Sequence, residues 1–389
     1  MTASRALPAH SLSRRQLLKL GAVGAIAVAT GAVFDELATN APDARPVSAP
    51  EPSPPQRRAF ATRPDLKPPV VSVARRSGAA NSPAGLVLLT PSNGLAPDGP
   101  LIVRPDGEPV WMHSVPGRQT TNLQVATYRG EPVLTWWEGV ITSGYGFGEQ
   151  VIVDSSYREV ARVRAGNGLQ VDLHEFLISP RDTALLLASR ILAPGTAGAA
   201  PIQEAVVQEV DIPTGAVLFE WHSLPEIDPS ESYIDMPTDG STWDYLHANS
   251  IDLDGEGLLV SCRHTWAVYR IDRATGAVTW RLNGKRSDVV LPQNARFAWQ
   301  HDARRQPDGT ISIFDDGANG VAAPFESRSR GIVLAVDEAT MRGRLVRSFA
   351  HPANVQATSQ GSLQVLPGGA AFVGWGSVPR FSAFDARGS

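Results

Sequence analysis

A single cysteine, Cys262, stands among 389 residues, so no disulfide can close within the chain. A lone thiol in an apolar strand reads as a small buried hydrophobe. No H-x-x-H or H-x-H pair occurs, so a metal site would have to rest on tertiary geometry alone, and none is expected. Charge is scarce and balanced. Lys and Arg number 35 against 39 Asp and Glu, a net of −4. That balance offers no broad attraction to nucleic acid or anionic lipid. Long apolar runs are lacking too: the one from Leu20 to Ala32 is short and rich in Gly and Ala, a poor membrane span. No long amphipathic helical pattern appears; residues 291–300 carry a short one.

What is abundant is turn chemistry. Gly (35) and Pro (31) together mark a turn-rich chain of the all-β type, long enough for a large core. The N-terminal stretch "SLSRRQLLKLGAVGAIAVATGA" sets Arg14-Arg15 ahead of the mild apolar run and ends on small residues at Thr30-Gly31-Ala32. It resembles a twin-arginine export signal, read by the twin-arginine machinery and either cleaved or retained as an anchor. The expectation is residues 1–32 as signal and an exported, extracytoplasmic protein. Removing 1–32 takes away Arg5, Arg14, Arg15 and Lys19 and no acidic residue, moving the net charge from −4 to −8. Nine prolines fall in residues 41–69, so 33–84 is expected to be a disordered Pro-rich linker. The folded domain is expected over 85–389.

Within that domain a repeat emerges. His247 lies seven residues ahead of Asp254-Gly255, and His301 seven ahead of Asp308-Gly309. Asn122 leads in the same way to Arg129-Gly130, Gln360 to Pro367-Gly368, and His174 to Arg181-Asp182. Between heads recurs a second element, seen in "VDIPTGAVLFEW" (210–221) and "IDRATGAVTWRL" (271–282), with a looser copy at 336–349. Two hairpins per unit, repeated every 52 to 73 residues, describe a β-propeller. Five heads plus the segment 85–115 predict six blades, the last short of a strand unless 85–115 supplies it. Equivalent first-strand positions converge on the central channel. The expectation is therefore a ring of Asn122, His174, His247, His301 and Gln360 at one end, a concentration of titratable groups typical of a site. His264 would stand at the rim or as a structural partner; His113 and His222 read as structural.

The block 243–334, with "DYLHANSIDLDGEGLLVSCRH", "WQHDARRQPDGTISIFDDG" and "SRGIVLAVDE", and the later "SQGSLQVLPGGAAFVGWGS", is similar to the arylsulfotransferase-type propeller family. That resemblance implies a six-bladed propeller and ping-pong transfer of a sulfuryl group from a phenolic sulfate ester to a phenol through a sulfohistidine. It implies no cofactor and no adenylyl-sulfate donor. It assigns the nucleophile to His351, just before the last inner strand. His247, with Asn249 of the same D-x-x-H-x-N-S motif, and His301 match further functional positions. Arg330 stands nearest the family's arginine, although "FDDGANG" departs from the family motif there. The chemistry suits these residue types: imidazole forms a labile N–S bond, and arginine stabilises the sulfuryl oxygens. The rival expectation is a non-catalytic binding or scaffold propeller.

Overall fold

The structure is a computed structural model that describes residues 27–30, 60–74, 85–91, 98–142, 144–194, 200–320 and 324–388. Among them there is no α-helix; the only helical pieces are three single 3-10 turns. One is Gln293–Ala295, in place of the short helix expected at 291–300. Arg296 already has extended backbone and Pro292 precedes the turn, which leaves no room for a second turn.

The strands form successive antiparallel meanders. The first sheet orders β1 (Ala27–Thr30), β2 (Val87–Thr90), β3 (Leu101–Val103) and β4 (Pro109–Met112), with β1 parallel to β2. Next come β5 (Gln119–Tyr128), β6 (Glu131–Thr142), β7 (Tyr145–Val153) and β8 (Glu159–Val163). A third set is β9 (Gln170–Ile178), β10 (Thr183–Leu192), β11 (Ile202–Asp211) and β12 (Val217–His222). These two are linked by a single bridge, Gly148 to Val171, into one eight-stranded sheet. Then follow β13 (Ala248–Asp254), β14 (Gly257–Cys262), β15 (Ala267–Asp272) and β16 (Val278–Leu282). The fifth set is β17 (His301–Arg305), β18 (Ile311–Asp315), β19 (Arg330–Asp337) and β20 (Arg342–Ala350). The last sheet has three strands, β21 (Ser362–Val365), β22 (Ala371–Gly374) and β23 (Phe381–Phe384).

The repeat read from the sequence is the first hairpin of the five meanders that begin at β5, β9, β13, β17 and β21. At its turn Gly130, Gly255, Gly309 and Gly368 have φ of 76°, 60°, 83° and 77°, and Asp182 has 60°. That left-handed backbone is the reason glycine recurs there and a polar residue replaces it once. The outer hairpins repeat equally closely. The Asp211 carboxylate accepts from the Thr214 backbone and hydroxyl, as Asp272 accepts from Thr275. Trp221 Nε1 then donates to Gly276 O, tying one outer hairpin to the next.

Meanders meet face to face across apolar layers, and first strands succeed one another in a circuit: β5 beside β9, then β13, β17, β21, β1 and back to β5. Leu185, Tyr245 and Tyr269 fill one layer, and Trp280, Phe297 and Ile313 another. Between the first and last sheets lie Leu101, Val103, Leu366 and Phe372. Leu66 joins that layer at 6% exposure. Residues 60–74, expected to be disordered linker, thus have no helix or strand, yet they pack. Leu66 is among the few aliphatics of that proline-rich stretch, and it finds a groove between two sheets. The remainder of the expected linker and most of the expected signal lie outside the described residues, and β1 falls inside the latter. Residues 85–115 do not complete the last sheet; their strands pair with each other and with β1.

Candidate active site

Four of the first strands, β5, β9, β13 and β17, are broken by a bulge where the repeat begins. Pairing shifts between Thr121 and Gln124 in β5, between Ala248 and Ser250 in β13, and between His301 and Arg304 in β17. Opposite β9 it shifts between Leu186 and Ala188. Asn122, His247 and Gln360 have φ of 58°, 52° and 62°; in β17 the left-handed residue is Asp302, at 56°. Strained backbone and bulges of this kind re-aim side chains, and they concentrate at functional sites.

Neighbouring strands are stitched together at this level. Asn122 Nδ2 donates to His174 O, and Asn249 Nδ2 to Gln300 O. Gln360 N donates to His301 Nε2 at 3.2 Å. The circuit encloses a cavity of about 340 Å³, whose lining includes Asn122, His174, Asn249, His301, Arg304 and Gln360.

Four imidazoles cluster here; His174 and His301 line the cavity, and His247 and His264 pack behind His174. The His174 ring lies 5.0 Å from that of His247 and 6.3 Å from that of His301. The His264 ring is 4.8 Å from that of His247, and Tyr145 packs on His247 at 5.3 Å. Every ring is oriented through Nδ1. His174 pairs with Asp172 at 2.5 Å, His247 with Asp244 at 2.5 Å and His301 with Asp316 at 2.8 Å. His264 Nδ1 donates to Asp244 O at 2.6 Å. An imidazole that donates through Nδ1 keeps its lone pair on Nε2. At His264 and His301 that lone pair is engaged, by Arg263 Nη1 at 3.1 Å and by the Gln360 amide. At His174 and His247, Nε2 has no hydrogen-bond partner among the described residues.

Burial sets the charges. It pushes His264 down to about 3, against the pull of Asp244. His301 is held well below its ordinary value by burial and then by the Arg263 charge. Burial raises Asp316 well above the usual carboxylate range, only partly offset by Arg263. Burial also raises Asp172 and Asp244, but their histidine neighbours outweigh it and hold both below that range. The two carboxylates are thus fixed anions beside His174 and His247.

Asp244, His247 and His264 place one donor atom each within 4.8 Å of one another. The Asp244 carboxylate stands 2.5 Å from His247 Nδ1, a hydrogen bond, and 3.4 Å from His264 Nδ1, whose own hydrogen bond goes to the Asp244 backbone carbonyl. Ligands of one tetrahedral ion stand about 3.3 Å apart. The set fits an oriented dyad rather than a metal centre.

Two residues assigned through the family resemblance stand apart. His351 lies in the turn after β20, where its Nδ1 accepts from Ala353 N and its ring packs edge-on to Trp375. It neither lines the cavity nor touches the cluster; the last strand that reaches the cluster does so through Gln360. Arg330 spends its guanidinium on Asp315, Arg296 O and Asn294 O. The residues that sequence reasoning passed over are Asp172, Asp244, Tyr145 and Arg263. The pairing of Ala248 with Cys262 places Arg263 opposite His247, and its amide donates to His247 O. The "SCRH" stretch at the end of the β14 hairpin partner carried that signal.

The fold and site define an all-β protein of successive antiparallel sheets whose first strands converge on a carboxylate-oriented imidazole cluster. The arylsulfotransferase (ASST) family model matches residues 124–389, and the chain belongs to that family. No curated protein matches the chain. Among solved structures it is similar to Kuenenia stuttgartiensis hydrazine synthase at 13% identity and a TM-score of 0.40, covering 74% of this chain and 70% of that one. It is similar also to the Dos1 propeller, at 13% identity, TM-score 0.34, 79% and 74% coverage. The Myceliophteria thermophila Cps50 (Swd1) β-propeller domain matches at 11% identity, TM-score 0.34, 74% and 79% coverage.

Proposed function

We propose that this protein is an exported sulfotransferase that moves a sulfuryl group from a phenolic sulfate ester to a phenol through a sulfohistidine on His247. The six meanders are read as six propeller blades, the last of three strands. The observation that carries the chemistry is the imidazole cluster: His247 is oriented by Asp244 and leaves Nε2 unengaged, 5.0 Å in ring separation from His174. Membership of the arylsulfotransferase family supplies the reaction class.

In the first half-reaction the His247 Nε2 lone pair attacks sulfur, the S–O ester bond breaks, and the phenolate leaves with the Nε2 proton of a doubly protonated His174, whose Nδ1–H stays on Asp172 as the ring becomes neutral. In the second, His174 takes the proton of the incoming phenol, whose oxygen attacks sulfur as the N–S bond breaks. Asp244 offsets the positive charge that sulfuryl transfer places on the His247 ring, as a fixed carboxylate does for an imidazolium. His264 and His301, kept uncharged by burial, shape the site without competing for protons.

The test is the reaction of purified protein with 4-nitrophenyl sulfate, with and without an acceptor phenol. Nitrophenolate release that depends on the acceptor, with a mass gain of one sulfuryl group on the peptide holding His247, is the expected result. If neither release nor the adduct appears on any histidine peptide, the protein is a non-catalytic binding propeller.

A further inference from the structure

The family resemblance assigned an arginine to the reaction, and Arg330 is engaged elsewhere. Arg263 is differently placed. Its guanidinium carries five N–H donors, of which Nη1 uses one on His264 Nε2 and Nη2 one on Thr358 O at 2.7 Å. Nε is enclosed and has no partner. The guanidinium stacks on Trp299 at 5.1 Å. Asp316 and Asp244 act on it through space, yet no carboxylate forms an ion pair with it among the described residues. Other buried or half-buried arginines here are matched directly: Arg304 to Glu175 and Asp302, Arg330 to Asp315, Arg270 and Arg305 to Asp254. An enclosed guanidinium without a counter-ion is costly unless an anion completes it.

We infer that Arg263 binds the sulfuryl oxygens of the sulfate ester, filling the role the resemblance gave to Arg330. This rests on the proposed sulfotransfer for the identity of the anion. It follows from geometry on both sides. Arg263 lies in register opposite His247, so a charge-assisted fork meets the group that His247 would attack. Trp299, itself left-handed at φ 59°, holds the fork from behind. The neighbouring His264 accepts from Nη1 and is held uncharged, so it orients the guanidinium without adding a second cation.

Binding is measured by calorimetry with 4-nitrophenyl sulfate in the His247→Ala background, where turnover cannot blur the result. Inorganic sulfate is run beside it. Adding Arg263→Gln is expected to weaken the ester about tenfold or more, Arg263→Lys to weaken it less, and Arg330→Gln to leave it within about twofold. Unchanged affinity in folded Arg263→Gln overturns the inference. Inorganic sulfate binding as tightly as the ester, with the same dependence on Arg263, would keep the anion site but show that the aryl group adds nothing. Should the Arg263 variants fail to fold, a crystal structure of the His247→Ala protein with 4-nitrophenyl sulfate decides, since sulfate oxygens away from Arg263 overturn it. The two readings fail separately. Ester bound through Arg263 by a protein that never forms a sulfohistidine refutes the transfer alone. Full transfer by Arg263→Gln with an unchanged KM refutes the arginine alone.

Discussion

At the scale of residues, nitrogen use separates two working imidazoles, His174 and His247, from two supports, His264 and His301, whose Nε2 is engaged. His247→Ala is expected to abolish the nitrophenolate burst, a loss of roughly 10³-fold or more in the first half-reaction. His174→Ala should slow both half-reactions by roughly 10²–10⁴-fold while sulfohistidine still accumulates. Rapid-quench kinetics with peptide mapping separates the two; an adduct that survives in His247→Ala sinks the assignment. The supports have a stability consequence. The folded pKa of His264 is about 3, below its ordinary 6.5, because burial disfavours the charged ring. Above 6.5 both folded and unfolded chains leave it neutral. As pH falls from 6.5 towards 3 only the unfolded chain gains the proton, so stability is lost over that window, at most about 1.4 kcal/mol per pH unit. His301 is shifted the same way by the same cause. His264→Gln should therefore lose less stability than wild type between pH 6.5 and pH 4 in urea titrations, and equal slopes would refute the assignment.

At the scale of elements, the heads of the repeat were legible because one spacing recurs with one turn chemistry. His174, His247 and His301 meet because each heads a first strand. Their orienting carboxylates were not legible, since Asp172, Asp244 and Asp316 stand two before, three before and fifteen after their histidines. No common offset links them, and each reaches its ring through a different bulge or turn. His351 misled for a related reason: proximity in sequence to the last inner strand is not proximity to its head, and ten residues of loop intervene before β21. Arg330 misled because the motif fixed its strand position but not what its guanidinium would meet. The strands are also clamped across the circuit. Glu175 of β9 is fully buried and pairs with Arg304 of β17 at 2.6 Å, while accepting from Ile251 N of β13 between them. Arg304→Met would leave that carboxylate buried and unpaired, at a cost of about 3–5 kcal/mol. Chemical denaturation measures it, and a loss below about 1 kcal/mol would show that the clamp is dispensable. Arg304→Met with Glu175→Leu should recover most of the loss.

At the scale of the whole molecule, the circuit of first strands closes through β1, which lies within the segment read as an export signal. Residues 27–30 run parallel to β2, from Ala27 beside Val87 to Thr30 beside Thr90, and β1 also neighbours β5, β21 and β22. On the export-signal reading, processing and closure make opposite demands on the same four residues. Cleavage after Ala32 would remove β1 and leave β2 an unpaired edge, its backbone donors open to water. The apolar layer between first and last sheets, Leu66 included, would still join them, because it is built from residues that follow the cleavage point. The expectation is that the exported chain begins at residue 33, stays folded, and exchanges amide hydrogens faster at 87–90 than at 101–103. Twin-arginine transport accepts folded cargo, so Arg14-Arg15→Lys-Lys should hold the protein in the cytoplasm with residues 1–32 intact and 87–90 protected. Fractionation, intact mass and hydrogen exchange of the two forms check this together. An exported chain that still carries residues 27–30 would mean the segment serves as anchor and strand at once. Export unaffected by the paired substitution would remove the twin-arginine reading.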